Sequence, residues 1–398
     1  MNRFWIFIKE LYLKQKWIFV FLFMVPFIND RYYGIIPKEQ MDYLKIVSFI
    51  SIIVLFVAKK KKPSIIFMSL FLLETWWLIS TVVNYGMSDA MYTTLREIIS
   101  VLSITLIIEF FIIDPNQLLN GLMLNYELAI YPNFIYVVLS YMTGSRYYIL
   151  GYYTSLILWF LPATCVSALY IINNKNKYRG LVLLIISILS VVLVQCATAT
   201  VAYIGVIVTF CLGLLLNKTN KKRSKISLSV LFLLSIALNV VCMFFYKEGT
   251  LPIIDSFIIN VLKRSTTFTD RFNIWQKTFS LLLEKPLIGY GYRMNIVLDS
   301  GRVVPHAHNQ YLEILNIRGI IGFVLFMLFH IVLCLKVDKS SNTNSRLVAI
   351  SSCLGVFITY ITEAYTKYYR LYIIFIIAYY INLLNKEDRH DITIPSKD

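Results

Sequence analysis

Histidine, cysteine and charge are all scarce in this chain, and each scarcity narrows what it can do. Four histidines stand among 398 residues, so chemistry that depends on an imidazole has few places to occur. The six cysteines are Cys165, Cys196, Cys211, Cys242, Cys334 and Cys353. All fall in apolar runs, which argues against a C-x-x-C metal site or a disulfide staple and leaves them as small core side chains. Charged residues make up 15% of the chain against 58% hydrophobic. A soluble domain is about 45–50% apolar, so a soluble fold is excluded. The basic start before the first apolar run lacks an A-x-A-like cleavage site, so that run is expected to stay as the first helix.

What is present is a succession of apolar runs. Stretches of about 17–25 apolar residues cross a bilayer as helices, because only a helix satisfies its own backbone in hydrocarbon. Twelve are predicted, over residues 16–34, 43–58, 64–83, 97–113, 119–143, 153–172, 180–198, 200–217, 226–246, 310–335, 346–363 and 367–385. The expected fold class is an all-α polytopic membrane protein with about 12 transmembrane helices and a large external loop containing amphipathic helices. Residues 1–246 would carry the first nine helices, 247–309 the loop, and 310–398 the last three helices and a short cytoplasmic tail.

Lysine and arginine are retained on the cytoplasmic side of short loops. With the N-terminus inside, 22 of the 38 basic residues gather on one side. They cluster at Arg3, Lys9, Lys14 and Lys16; Lys59 to Lys62; Lys175, Lys177 and Arg179; Lys218, Lys221, Lys222, Arg223 and Lys225; Lys336, Lys339 and Arg346; and Lys386, Arg389 and Lys397. Eight more lie in 247–309, where loop length overrides the rule, and eight remain for the other side. Both termini are therefore expected in the cytoplasm and the long loop outside. The net charge of +16 is accounted for by lysines facing anionic lipid headgroups, with no nucleic acid as partner.

Loops as long as 247–309 act as lids or carry binding sites. Within it, TDRFNIWQKTFSLLLEK has helical periodicity, with Phe272, Trp275, Phe279, Leu282 and Leu283 on one stripe. Thr269 and Asp270 suit its start and Pro286 ends it. Arg271 lies at the edge of the stripe and can point toward whatever the helix covers, or snorkel at the surface; Lys277 and Glu284 face away. Gly289 and Gly291, separated by Tyr290, lack the third glycine and the Lys-Ser/Thr of a phosphate cradle. They are expected to form a turn with unusual backbone angles.

His306 and His308 admit three readings: solvated loop residues, two ligands of a metal whose third would be Asp299 or Glu313, or proton transfer near neutral pH. Asn309 can cap the helix that follows. Charged groups within the spans are costly and are functional candidates: Glu74, Glu109, Glu127, Arg318 and Glu363. Glu109 reads as interfacial. Arg318 is ten residues beyond His308, about 15 Å deeper along a helix, and needs either a carboxylate or a substrate phosphate.

The stretch PLIGYGYRMNIVLDSGRVVPHAHNQYLEILNIRGIIG, residues 286–322, resembles the signature of the bacterial O-antigen ligase and polymerase family. The matching parts are a G-x-G turn, a His-Asn, a Tyr-Leu-Glu helix start and a Gly-Ile-Ile-Gly lead into a spanning helix. An Arg-x-x-x-Trp helix ahead of Pro-Leu-x-Gly-x-Gly is matched by Arg271, Trp275, Pro286, Leu287, Gly289 and Gly291. The family's external arginine is matched more loosely by Arg146 in TGSRYYILGYY. A further family turn appears as CATATVAY, with Thr198 and Thr200 and no arginine, so a charge role there does not carry over.

The resemblance implies a GT-C-like membrane glycosyltransferase of the bacterial inner membrane that takes an undecaprenyl-pyrophosphate-linked glycan as donor and needs no cofactor. His308 would be the catalytic base, with Arg271, Arg318 and Arg146 on the pyrophosphate and His306 and Asn309 against substrate. Arginines would supply the charge stabilisation that a metal supplies elsewhere, and the loop holds no D-x-D pair. The implied reaction is inverting polymerisation of repeat units into a capsule or O-antigen, served by a flippase and a chain-length regulator. A ligase delivering the glycan to a lipid or protein acceptor is the alternative, and a polysaccharide transporter the rival from another class. Against the transporter stand the lack of an internal repeat and the short central loop NNKNKYR.

Overall fold

A computed structural model describes residues 15–30, 36–174, 176–219, 226–244, 271–341, 343–364 and 369–384. Several expectations lie outside them: residues 247–270 of the loop, with Thr269 and Asp270; the basic residues Arg3, Lys9, Lys14, Lys175, Lys221, Lys222, Arg223, Lys225, Lys386, Arg389 and Lys397; and the tail.

Among the described residues nine helices come first: α1 Lys16–Ile28, α2 Lys38–Ala58, α3 Ile65–Tyr85, α4 Asp89–Phe111, α5 Pro115–Thr143, α6 Ile157–Asn173, α7 Lys177–Val194, α8 Ala197–Thr219 and α9 Leu228–Phe244. A small antiparallel pair, β1 Tyr147–Tyr148 and β2 Gly151–Tyr152, sits between α5 and α6. Then come α10 Arg271–Glu284, the pair β3 Ile296–Val297 and β4 Val303–Val304, α11 Gln310–Asp338, α12 Asn344–Thr362 and α13 Tyr372–Tyr379. The chain is an all-α polytopic membrane protein, and a helix stands over each of the twelve predicted spans. Among the described residues, eight helices are long and apolar enough to cross a membrane, with shorter apolar helices at Lys16–Ile28, Leu228–Met243 and Tyr369–Tyr379.

The packing explains which helices read clearly. α6 and α12 are largely buried, with α12 against α8 and α6 against α7. By contrast α2 exposes Val47, Ile50, Val54 and Val57, and α7 exposes Val182, Ile185, Leu189 and Val192. Apolar residues three or four apart share a helix face, and such faces are at rest in hydrocarbon rather than water.

Two boundaries differ from expectation. α2 begins at Lys38 and α4 at Asp89, so Asp42 and Arg96 lie inside helices that hydropathy would start later. These two pair with each other at 2.7 Å, and Lys45 lies 3.6 Å from Asp42 on its own helix and 3.7 Å from Asp30 beyond α1. Arg370 pairs with Asp30 and lies over the Trp159 ring at 4.0 Å. This network joins the ends of α1, α2 and α4 to the turn before α13.

α11 is broken at Gly319, where φ is 66° and ψ −174°. The turn before it fills the gap. Tyr290 N donates to Asn316 O at 2.7 Å, Gly291 N to Ile317 O at 2.8 Å, and Ile320 N to Pro286 O at 2.8 Å. Side chains of α3 complete the joint: Trp76 Nε1 donates to Arg318 O and Ser80 Oγ to Ile288 O, both at 2.7 Å. Backbone groups freed by a break inside a membrane protein must be paired again, and here the loop itself pairs them.

Candidate functional site

The site forms where α10, the turn before α11 and the end of α12 meet. Ala307 anchors the turn. Its N–H donates to Glu313 Oε2 at 2.8 Å and its carbonyl accepts from Trp275 Nε1 at 3.1 Å, so α11 and α10 each grip one end of a single buried residue. His306 and His308 flank it with ring centroids 4.0 Å apart. His308 holds φ at 49°, a left-handed conformation that a non-glycine residue rarely adopts. Asn309 then caps α11 as expected, its Oδ1 accepting from Tyr311 N and Leu312 N at 3.1 Å. Its amide nitrogen donates to Asn239 Oδ1 on α9, which ties the cap into the bundle.

Glu363 closes the site, one residue past the end of α12 and outside the spanning segment. Its Oε2 lies 3.4 Å from His308 Nδ1 and its Oε1 accepts from Arg271 Nη2 at 3.3 Å. Burial alone would push this carboxyl up. Contact with His308, and the charges of His308, Arg271 and His306, more than reverse that and hold it below the ordinary carboxylate range. The arrangement gives an imidazole facing a charged carboxylate, with a guanidinium on the carboxylate's other oxygen. That is the geometry of a base whose orientation is set by a third group.

Of the predicted residues, Arg271, His306 and His308 come together here, with Asn309 directly behind them. Arg318 does not. It is 1% exposed and of its two expected partners it has the carboxylate: Nη1 and Nη2 donate to Glu74 Oε1 and Oε2 at 3.1 and 3.3 Å, with Trp77 at 4.5 Å. Arg146 lies apart in a cleft beside α8. The expected stripe of α10 is also rotated. Ile274, Trp275 and Thr278 are buried against the β3–β4 hairpin and α11, while Phe272 and Leu283 are exposed. The hairpin, invisible to helical periodicity, decides which face is covered.

A metal would find three donors. His306, His308 and Glu363 offer atoms within 4.8 Å of one another, and the third is Glu363 rather than Asp299 or Glu313. Arg271 on the same carboxylate sets a positive charge where a dication would bind, so the donor set fits a metal in spacing but not in charge.

Residues 182–327 match the family model described as O-antigen ligase. The match runs from α7 into α11 and contains Arg271, His306, His308, Asn309 and Arg318. Glu363 and Arg146 lie beyond it, so the matched region reaches its carboxylate only through the fold. No curated protein matches the chain. The match and the helices together support a membrane protein with a glycan-processing role.

Glu363 stands out in the sequence only as a charged group within a predicted span, and His308 as the base that the resemblance implies, with nothing to join them. The network of Asp30, Lys45, Asp42, Arg96 and Arg370 was missed altogether. Charges of both signs at successive helix ends were its one available signal.

Proposed function

We propose that the protein transfers a glycan from an undecaprenyl-pyrophosphate donor to a sugar hydroxyl, polymerising lipid-linked repeat units with inversion at the anomeric carbon. The observation that carries this reading is Glu363 holding His308 on one oxygen and Arg271 on the other. With Nδ1 turned to Glu363, the Nε2 of His308 is the end left for substrate. The acceptor oxygen bonds to the anomeric carbon from the face opposite the leaving group, its proton passes to Nε2, and the bond from that carbon to the pyrophosphate breaks. Glu363 stabilises the imidazolium that forms, as a buried carboxylate beside a catalytic histidine does. Arg271 spends one N–H on Glu363 and keeps others for the departing pyrophosphate. His308 stands at the mouth of the bundle with its side chain 28% exposed, where a lipid-borne donor entering from the outer leaflet can reach it.

The family description favours a second reading, in which the acceptor is a separate lipid or protein and the protein is a ligase. One reaction separates them. Purified protein is incubated with lipid-linked repeat units from its own organism, with and without EDTA, beside His308→Ala. A ladder of longer lipid-linked glycans from wild type alone, indifferent to EDTA, supports the metal-independent polymerase. No ladder, with transfer restored by an added acceptor, turns the reading to the ligase; no transfer at all sinks both.

A further inference from the structure

A cleft of about 460 Å³ opens between the end of α5, the β1–β2 hairpin and the α7–α8 turn. Tyr141, Arg146, Tyr148, Tyr153, Gln195 and Thr200 line it. We infer that this cleft binds pyranose units of the glycan and presents them to His308; the inference rests on the glycan-transfer reading above.

Three observations carry it. The lining is made of what a sugar needs: aromatic rings for its C–H faces, and hydroxyl, amide and guanidinium groups for its hydroxyls. Arg146 is exposed, lies over Tyr153 at 5.4 Å and pairs with no carboxylate among the described residues, so its donors are free for a ligand.

Position is the third. Thr198 follows directly on Ala197 of the lining, and its Oγ1 lies 3.1 Å from Thr362 Oγ1. The next residue is Glu363. One hydrogen bond and two peptide links therefore separate the wall of the cleft from the carboxylate that holds His308 and Arg271. A second cleft, lined by Tyr85, Tyr290, Tyr292 and Arg293, shows no such link to Glu363 among the described residues and serves as the control.

Full-length protein in nanodiscs is examined by saturation-transfer NMR with oligosaccharide released by mild acid from the organism's lipid-linked pool. Wild type and His308→Ala should both transfer saturation to the sugar ring protons. Arg146→Ala should weaken binding about tenfold and Tyr141→Ala about fivefold, while Tyr292→Ala should leave it unchanged. In the transfer reaction Tyr141→Ala should raise KM and spare kcat. Sugar signal retained in both cleft variants, signal lost in Tyr292→Ala instead, saturation reaching only lipid headgroups, or no signal from wild type would each overturn the assignment. Sugar binding that depends on the cleft in a protein with no transferase activity would keep the assignment and sink the transfer reading instead.

Discussion

Gly289 and Gly319 meet backbone to backbone. A Cβ on Gly289 would stand 2.5 Å from Gly319 N, and a Cβ on Gly319 would collide with Leu287 O. Both glycines have positive φ, 75° and 66°, so each is required twice, for its backbone angle and for the close approach. The contact wedges the Pro286–Gly291 turn into the break of α11 and so fixes α10 relative to the histidine turn.

Replacing either glycine should therefore loosen the loop without touching the reacting groups. Gly289→Ala and Gly319→Ala are each expected to cost about 1–3 kcal/mol, seen as a lower melting temperature in detergent and faster protease cleavage after residue 286. A variant with native melting and native protease resistance would show that the wedge does not hold the loop.

Arg318 and Glu74 form a pair 1% exposed on both sides. Removing one partner of a buried pair strands the other charge and costs about 3–5 kcal/mol, whereas replacing both with apolar residues of similar size often costs little. Glu74→Met and Arg318→Met should each melt well below wild type and the double variant should recover. Transfer by the folded double variant should persist. If it is abolished, Arg318 serves substrate after all.

How much of this was legible in sequence follows from what each signal measures. Hydropathy found a helix over every span because lipid rewards continuous apolar runs, and it misplaced the starts of α2 and α4 because it cannot see Asp42 and Arg96 neutralising each other. The two glycines around Tyr290 announced their turn, since positive φ leaves a mark on residue choice. The break at Gly319 hid inside an apolar helix. Arg271 and His308 stood out by residue type and motif, but Glu363 joins them only through the return of α12, and no local pattern encodes that return. Phe272 and Leu283 share the predicted stripe with the buried Trp275 and yet stay exposed, because periodicity fixes which residues share a stripe, not which of them the bundle covers.

The cap on α11 sets the histidine turn. Asn309 accepts from two backbone amides and donates to Asn239, so Asn309→Ala should cost about 0.5–2 kcal/mol from the cap alone. More telling, kcat should fall with little change in KM, because the base is misplaced while the substrate surfaces stay. A variant that raises KM alone would place Asn309 in binding instead.

His308 and His306 are separable by rate. Loss of a general base typically costs about 10²–10⁴-fold, expected for His308→Ala, while His306→Ala should retain most transfer. Activity lost in His306→Ala and kept in His308→Ala would exchange their roles.

Glu363 gives the fold a pH signature with a definite sign. Its carboxyl is held below the ordinary value of 4.5 by His308 and Arg271 in spite of burial. A carboxyl lowered on folding stabilises fully above its unfolded value and loses that stabilisation as pH falls through the folded one. Wild type should therefore melt above Glu363→Gln at neutral pH and keep that lead down to about pH 4.5. The lead should close only in more acid solution, where both side chains are uncharged. At neutral pH the same substitution should lower kcat, since the imidazolium formed in transfer loses the carboxylate facing it, and Glu363→Asp should recover part of that loss. A gap in melting temperature that widens toward acid, or a Glu363→Gln protein with native kcat, would remove Glu363 from the role of holding His308.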